Sequence, residues 1–170
     1  VNINENNNFY FLEKKLKNKK LLSLLESYEK KEIFEISFER NEYFEKLCQF
    51  IKKNGGLILT IDYGYLDKIS QYTLQAVQNH KYSHVLENVG KKDISSHVNF
   101  SDFIQIAKRN KLNIDEICSQ KEFFIKYGIL ERKKILKKFK NSGIIDSQLD
   151  RLIGNDQMGK MFKCMVVSNL

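Results

Sequence analysis

The sequence has no proline and no tryptophan, and only three cysteines in 170 residues. Without proline there is no proline-rich linker between segments, and no serine-rich stretch takes its place. Cys48, Cys118 and Cys164 lie far apart in the chain, each among apolar residues. That spacing excludes a small disulfide framework and a zinc-ligand pattern, and suits buried reduced thiols. No run approaches the roughly 20 apolar residues that span a bilayer, and the first residues are polar where a signal peptide is basic and then apolar. On these grounds the chain reads as cytoplasmic, with no membrane partner. Also missing are a glycine-rich loop after a strand, a His-and-carboxylate metal spacing and a nucleophile motif, so the residues alone assign no catalytic set and no metal.

What is present is a chain with 42% hydrophobic residues and a formal charge of +8, enough apolar content for one globular domain. The charge invites a nucleic-acid reading, since Lys and Arg neutralise phosphates. The basic runs at 14–20 and 132–140 are dominated by lysine and lack aromatics spaced to stack bases. A solvated lysine face accounts for them better, and the excess of Lys, Ile and Asn has the character of AT-biased coding.

Residues 9–16 and 33–38 are dense in aromatic and β-branched side chains and predict two strands flanking a polar helix at about 21–30. Residues 1–40 would then form an outlying β ribbon and helix. From Asn41 the period changes to that of a helix, with Phe44, Leu47, Cys48 and Ile51 on one face and a stop at Asn54-Gly55-Gly56. Leu57 to Ile61 is apolar on successive positions, which predicts a strand covered on both faces and ending at Asp62-Tyr63-Gly64. Helix and strand over 41–64 make the unit of a parallel α/β sheet, whose ligands collect beyond the C-terminal strand ends, where Asp62 sits.

Residues 65–99 read as a long irregular insertion of the kind that forms lids. Residues 100–170 read as helices and closing strands. Asn99 caps a helix carrying Phe103, Ile104 and Ala107, with Asp102 in its first turn. Ser119 and Glu122 make a capping box, helices follow at about 131–140 and 146–153, and residues 162–167 close the chain as a strand.

Five ordered strings carry a family resemblance. The glycine pair, strand and Asp62-Tyr63-Gly64-Tyr65 are similar to a segment of the MidA-type, S-adenosylmethionine-dependent methyltransferases, whose mitochondrial members assist assembly of respiratory complex I. Thr73-Leu74-Gln75-Ala76 and His80 resemble that family's Thr-Leu-Arg-Ala-Tyr and His, with Gln75 and Val77 departing from it. The run from Gly90 through Asp93 to His97-Val98-Asn99-Phe100 resembles its Pro-Gly, Asp-Leu-Thr and His-Val-Asp-Phe, with Val89 replacing the proline and Asn99 the aspartate. Gln120 with Phe123-Phe124, and Met158-Gly159 with Phe162-Lys163, complete the set. Glu35-Ile36-Ser37 resembles its Glu-Val-Ser.

The resemblance implies the C-terminal part of a Rossmann-like class I methyltransferase, supplying about strands five to seven, the seventh lying between the fifth and sixth. It implies that S-adenosylmethionine belongs to an N-terminal half with no counterpart here, so that this chain carries no cofactor site and is inactive alone. The implied substrate is protein arginine. Asp62, Tyr63 and Tyr65 at the strand end, with His80, Asp93 and His97 in the lid, are the candidate substrate residues. The fifth strand would keep one open edge, to be covered by the chain's own ribbon, by self-association or by an N-terminal polypeptide. The alternatives are a non-catalytic assembly module and, with less support, a basic nucleic-acid binder.

Overall fold

The computed structural model describes residues 1–26, 33–66, 69 and 71–170. In chain order the elements are β1 (Asn2–Ile3), β2 (Phe9–Tyr10), α1 (Lys19–Leu25), α2 (Phe38–Asn54), β3 (Gly56–Tyr65), β4 (Gln75–Gln78), β5 (Lys81–Ser83) and β6 (Asp93–Ser95). There follow β7 (Val98–Asn99), α3 (Phe100–Arg109), β8 (Asn113–Ser119), α4 (Gln120–Lys126), α5 (Ile129–Leu136), α6 (Ser142–Ile153), α7 (Met158–Met161) and β9 (Phe162–Asn169). They fall into two compact units, residues 36–67 with 97–170, and residues 1–35 with 68–96.

The larger unit is built on a four-stranded sheet of order β7-β3-β9-β8. β9 runs antiparallel to both its neighbours, pairing with β3 from Gly56↔Asn169 to Tyr63↔Phe162 and with β8 from Asn113↔Ser168 to Ser119↔Lys163. β7 joins the other edge of β3 only at Gly64↔Val98 and Tyr65↔Asn99, in parallel. Ser37 accepts a hydrogen bond from the Arg40 N–H and so starts α2 at Phe38, three residues earlier than Asn41. Gly55 ends it with φ 76°, its N–H donating to the Ile51 carbonyl, and Asn169 donates to the Ile51 and Lys52 carbonyls, tying the helix end to the end of β9. Phe44, Cys48 and Ile51 of α2, with Phe100, Phe103, Ile106 and Ala107 of α3, bury themselves on Ile58, Met165 and Val167 of the sheet. Phe44 stacks on Phe103 with ring centroids 4.0 Å apart.

β3 is covered on one face, not two. Ile58 packs into this core, whereas the alternate residues Leu57, Leu59 and Ile61 are 56%, 47% and 37% exposed. The run of successive apolar residues is the same whether or not this chain supplies the second cover, so sequence alone could not separate the cases. Helices α4 and α7 pack on β8 and β9. The capping box is present, with Ser119 Oγ accepting from the Glu122 N–H and Glu122 accepting from the Ser119 N–H. Gln120 is buried and its Nε2 donates to the Leu152 carbonyl at the end of α6, 2.7 Å away.

In the smaller unit the ribbon differs from expectation. β2 is only two residues long and pairs with β1, and residues 11–16 form no ladder among the described residues. Ile33 makes a single bridge to Ile69, while Phe38 is taken into α2 by its Ser37 cap; residues 27–30 of the expected helix at 21–30 lie outside the described residues. The expected irregular insertion holds a three-stranded antiparallel sheet, β5-β4-β6. Its hairpin turns on Asn79 and His80, both left-handed at φ 51° and 62°, the two-residue turn whose twist matches that of paired strands.

Candidate functional site

Strand β3 ends at Asp62 to Tyr65, where β7 and β9 of the larger unit meet it. β7 pairs with its last two residues, which places His97, immediately before β7, against Tyr63. The two rings stack with centroids 5.9 Å apart and 12° between planes. Phe162, the first residue of β9 and the register partner of Tyr63, packs on it at 4.0 Å. Tyr63 continues the alternation of Leu57, Leu59 and Ile61, so the aromatic group tops the open apolar stripe.

Asp62 is exposed and accepts from the Tyr63 N–H at 2.7 Å, an interaction that fixes its carboxylate at the strand end. Lys163 is its register partner on β9; burial lowers the Lys163 pKa, and its ammonium donates to the Lys160 carbonyl at 2.8 Å. Behind the strand end, Arg40 binds Asp102 at 2.7 Å and Asn41 Oδ1 at 2.9 Å, and Asn41 and Asn99 each donate to Asp102. This group locks the starts of α2 and α3 together. Gly64 is buried because Phe100 occupies the space a side chain would need.

The candidates thus separate. Asp62, Tyr63, Tyr65 and His97 share the strand end. His80 and Asp93 belong to the smaller unit, His80 exposed at the hairpin turn and Asp93 exposed on β6 across from Val77. In that unit Glu35 accepts from the Thr73 and Leu74 backbone N–H groups, at 2.7 Å and 3.2 Å, and from the Thr73 hydroxyl. Two of the strings that carry the family resemblance are therefore bonded to each other, a contact no sequence spacing announces. Phe162 was read only as part of the closing segment and Asp102 only as a first-turn charge, because their partners Tyr63 and Arg40 lie far off in the chain.

A stacked Tyr–His pair is chemistry suited to a flat cation, which an aromatic face attracts through its quadrupole; Asp62, one residue before Tyr63 on the strand, points to the other face. Among the described residues no group of three or more His, Cys, Asp or Glu side chains could hold a metal ion.

Comparison with known proteins bears on this geometry. Residues 1–118 match the model of the family described as "Putative S-adenosyl-L-methionine-dependent methyltransferase". The chain is 27% identical over 134 residues to Protein arginine methyltransferase NDUFAF7 homolog, mitochondrial, of Caenorhabditis elegans, covering 76% of this chain and 31% of that one. It is 28% identical over 123 residues to Protein arginine methyltransferase NDUFAF7, mitochondrial, of Xenopus laevis, covering 70% and 28%. The chain thus spans about a third of the length of the curated relatives it matches. Two solved structures from Burkholderia thailandensis share its fold. One is of an uncharacterised protein, with TM-score 0.85 and 19% identity over 98% of this chain and 47% of that one. The other was solved with S-adenosyl-homocysteine bound, with TM-score 0.82 and 18% identity over 98% and 46%. The cytoplasmic reading is corrected by the relatives, both of which are named mitochondrial; absence of a signal peptide or a span does not define a compartment. With the family model covering most of the chain and the ordered motifs present in it, this protein belongs to the MidA-type S-adenosylmethionine-dependent methyltransferases.

Proposed function

We propose that the chain is the substrate-side, C-terminal half of a protein arginine methyltransferase, with β3, β8 and β9 as the fifth, sixth and seventh strands of its sheet. The observation that carries this reading is the order β3-β9-β8, in which the last strand runs antiparallel between two strands parallel to each other. The relatives' names supply the substrate class and make mitochondria the proposed location, and the family resemblance makes complex I assembly the proposed setting.

S-adenosylmethionine would supply the methyl group, and the residues described do not fit a cradle for it. Backbone reaches a nucleotide where a positive-φ glycine turns a strand end into a helix. Here Gly55 precedes β3 and Gly56 opens it, Gly90 lies in the smaller unit and Gly128 precedes α5. The cofactor half is then a separate stretch of polypeptide. It would pair with β3 along Gly56 to Tyr63, where β9 holds only one edge, and cover Leu57, Leu59 and Ile61. On the substrate side, Tyr63 and His97 would offer π faces to the guanidinium, with Asp62 holding the strand end through the Tyr63 N–H. Tyr65 is assigned to the strand end beside Tyr63, and His80 and Asp93 to the lid.

The open stripe and edge equally suit a non-catalytic assembly module, and one experiment separates the two. Calorimetric titration with S-adenosylmethionine is expected to give no heat of binding for this chain alone. Micromolar binding, with methyl transfer to an arginine peptide, is expected once the N-terminal half of a relative is added. Micromolar binding by the chain alone would overturn the assignment. A tight complex of the two halves that takes up no cofactor would favour the module.

A further inference from the structure

Cys118 of β8 and Cys164 of β9 are direct cross-strand partners. Antiparallel partners have Cα atoms about 4.5–5.5 Å apart and side chains on the same face. A disulfide accepts Cα separations of about 4.4–6.8 Å, so the ladder already delivers the two thiols at bonding range. Both are free thiols here. Cys164 is fully buried, Cys118 half-buried, and Cys48 sits apart in the core between α2 and α3.

We propose that Cys118 and Cys164 form a dithiol site that exchanges with a small disulfide of the glutathione class and closes into an intramolecular bond between β8 and β9. The Cys118 thiolate attacks one sulfur of the small disulfide, forming a mixed disulfide and releasing one small thiolate. The Cys164 thiolate then attacks the Cys118 sulfur, forming the protein disulfide and releasing the second. The two protons lost by the cysteines end on the two released thiols, and two electrons pass from the protein to the small disulfide. Exposure sets the order, since only Cys118 reaches the surface.

The surroundings make the first attack slow. Burial, then the Glu116 and Glu122 carboxylates, push the Cys118 thiol up to about 11, with Lys126 opposing. Burial, then Cys118 and Glu116, push Cys164 up to about 12, with Lys163 opposing. Thiolate is therefore scarce at neutral pH, and the first step should quicken about tenfold per pH unit below the Cys118 value.

The test treats the full chain with glutathione disulfide and follows it by thiol titration, intact mass and non-reducing peptide mapping. The wild type is expected to lose two of its three thiols and two hydrogens, to yield a Cys118–Cys164 linked peptide and to recover on reduction. Cys48→Ser should behave identically, and Cys118→Ser, its fold checked by circular dichroism, should leave Cys164 unreacted. A lasting glutathione adduct on Cys118, a link through Cys48, a disulfide-bonded dimer or three intact thiols would each overturn the assignment.

Discussion

At Gly64 a Cβ would come within 2.4 Å of the Phe100 ring and 2.7 Å of the Val98 carbonyl oxygen. The ring could move aside but the carbonyl belongs to the β7 ladder, so overpacking should cost Gly64→Ala about 1–3 kcal/mol in urea unfolding. Phe100→Leu should restore only part of it. Gly159 is similar, since its Cβ would meet the Ile153 backbone at 2.4 Å where α7 crosses the end of α6. Several residues that carry the family resemblance are thus scaffolding: two glycines that permit close approach, Gln120 on the Leu152 carbonyl, and Asn99 as a helix cap. Asp146 is a different case, held by Lys133 and Lys137 at 2.7 Å and 2.6 Å. Their ammonium groups lower its pKa from the ordinary 3.8 to about 2. The folded-state value is depressed, so the carboxylate's contribution to stability is complete above 3.8 and is lost as pH falls through about 2. An NMR titration should find that midpoint, and the double variant Lys133→Met, Lys137→Met should return it to near 3.8.

The elements that were legible in the sequence are those with local signals. α2, α3 and α4 announce themselves through period and caps, and β3 and β9 through apolar runs. Sheet β5-β4-β6 was not legible, because its strands have four, three and three residues and are defined by pairing across the chain, as at Gln75↔Ser95. The ribbon was misread for the converse reason, since aromatic density at 9–16 is a strand signal that finds no partner ladder in the described residues. Asp62 and Tyr63 could be placed at a strand end from sequence, while the stacking of Tyr63 on His97 and Phe162 depends on β7 and β9 arriving there. The hairpin gives His80 a specific burden. A β-branched residue in the left-handed region costs about 1–2 kcal/mol, whereas glycine does not. His80→Val should therefore speed hydrogen exchange at Gln78 and Lys81 and His80→Gly should leave it slow; equal exchange rates in the two variants would mean that the turn does not set the hairpin.

For the molecule as a whole, the stripe of Leu57, Leu59 and Ile61 beside a mostly unpaired edge is the surface most disposed to self-association. Leu59→Lys should lower the mass measured by size-exclusion chromatography with light scattering and leave the melting temperature within a few degrees, since Leu59 is 47% exposed. Undiminished association would assign the contact elsewhere. The position of β9 has a consequence for synthesis. It is the central strand of three yet the last of them to be made, after both β3 and β8. The roughly 100 residues between β3 and β9 take about 5–20 s to translate at about 5–20 residues per second. For that interval β3 has left the ribosome's active centre with neither long ladder available, so the nascent chain depends on being held apart from its copies until its own C-terminal strand arrives.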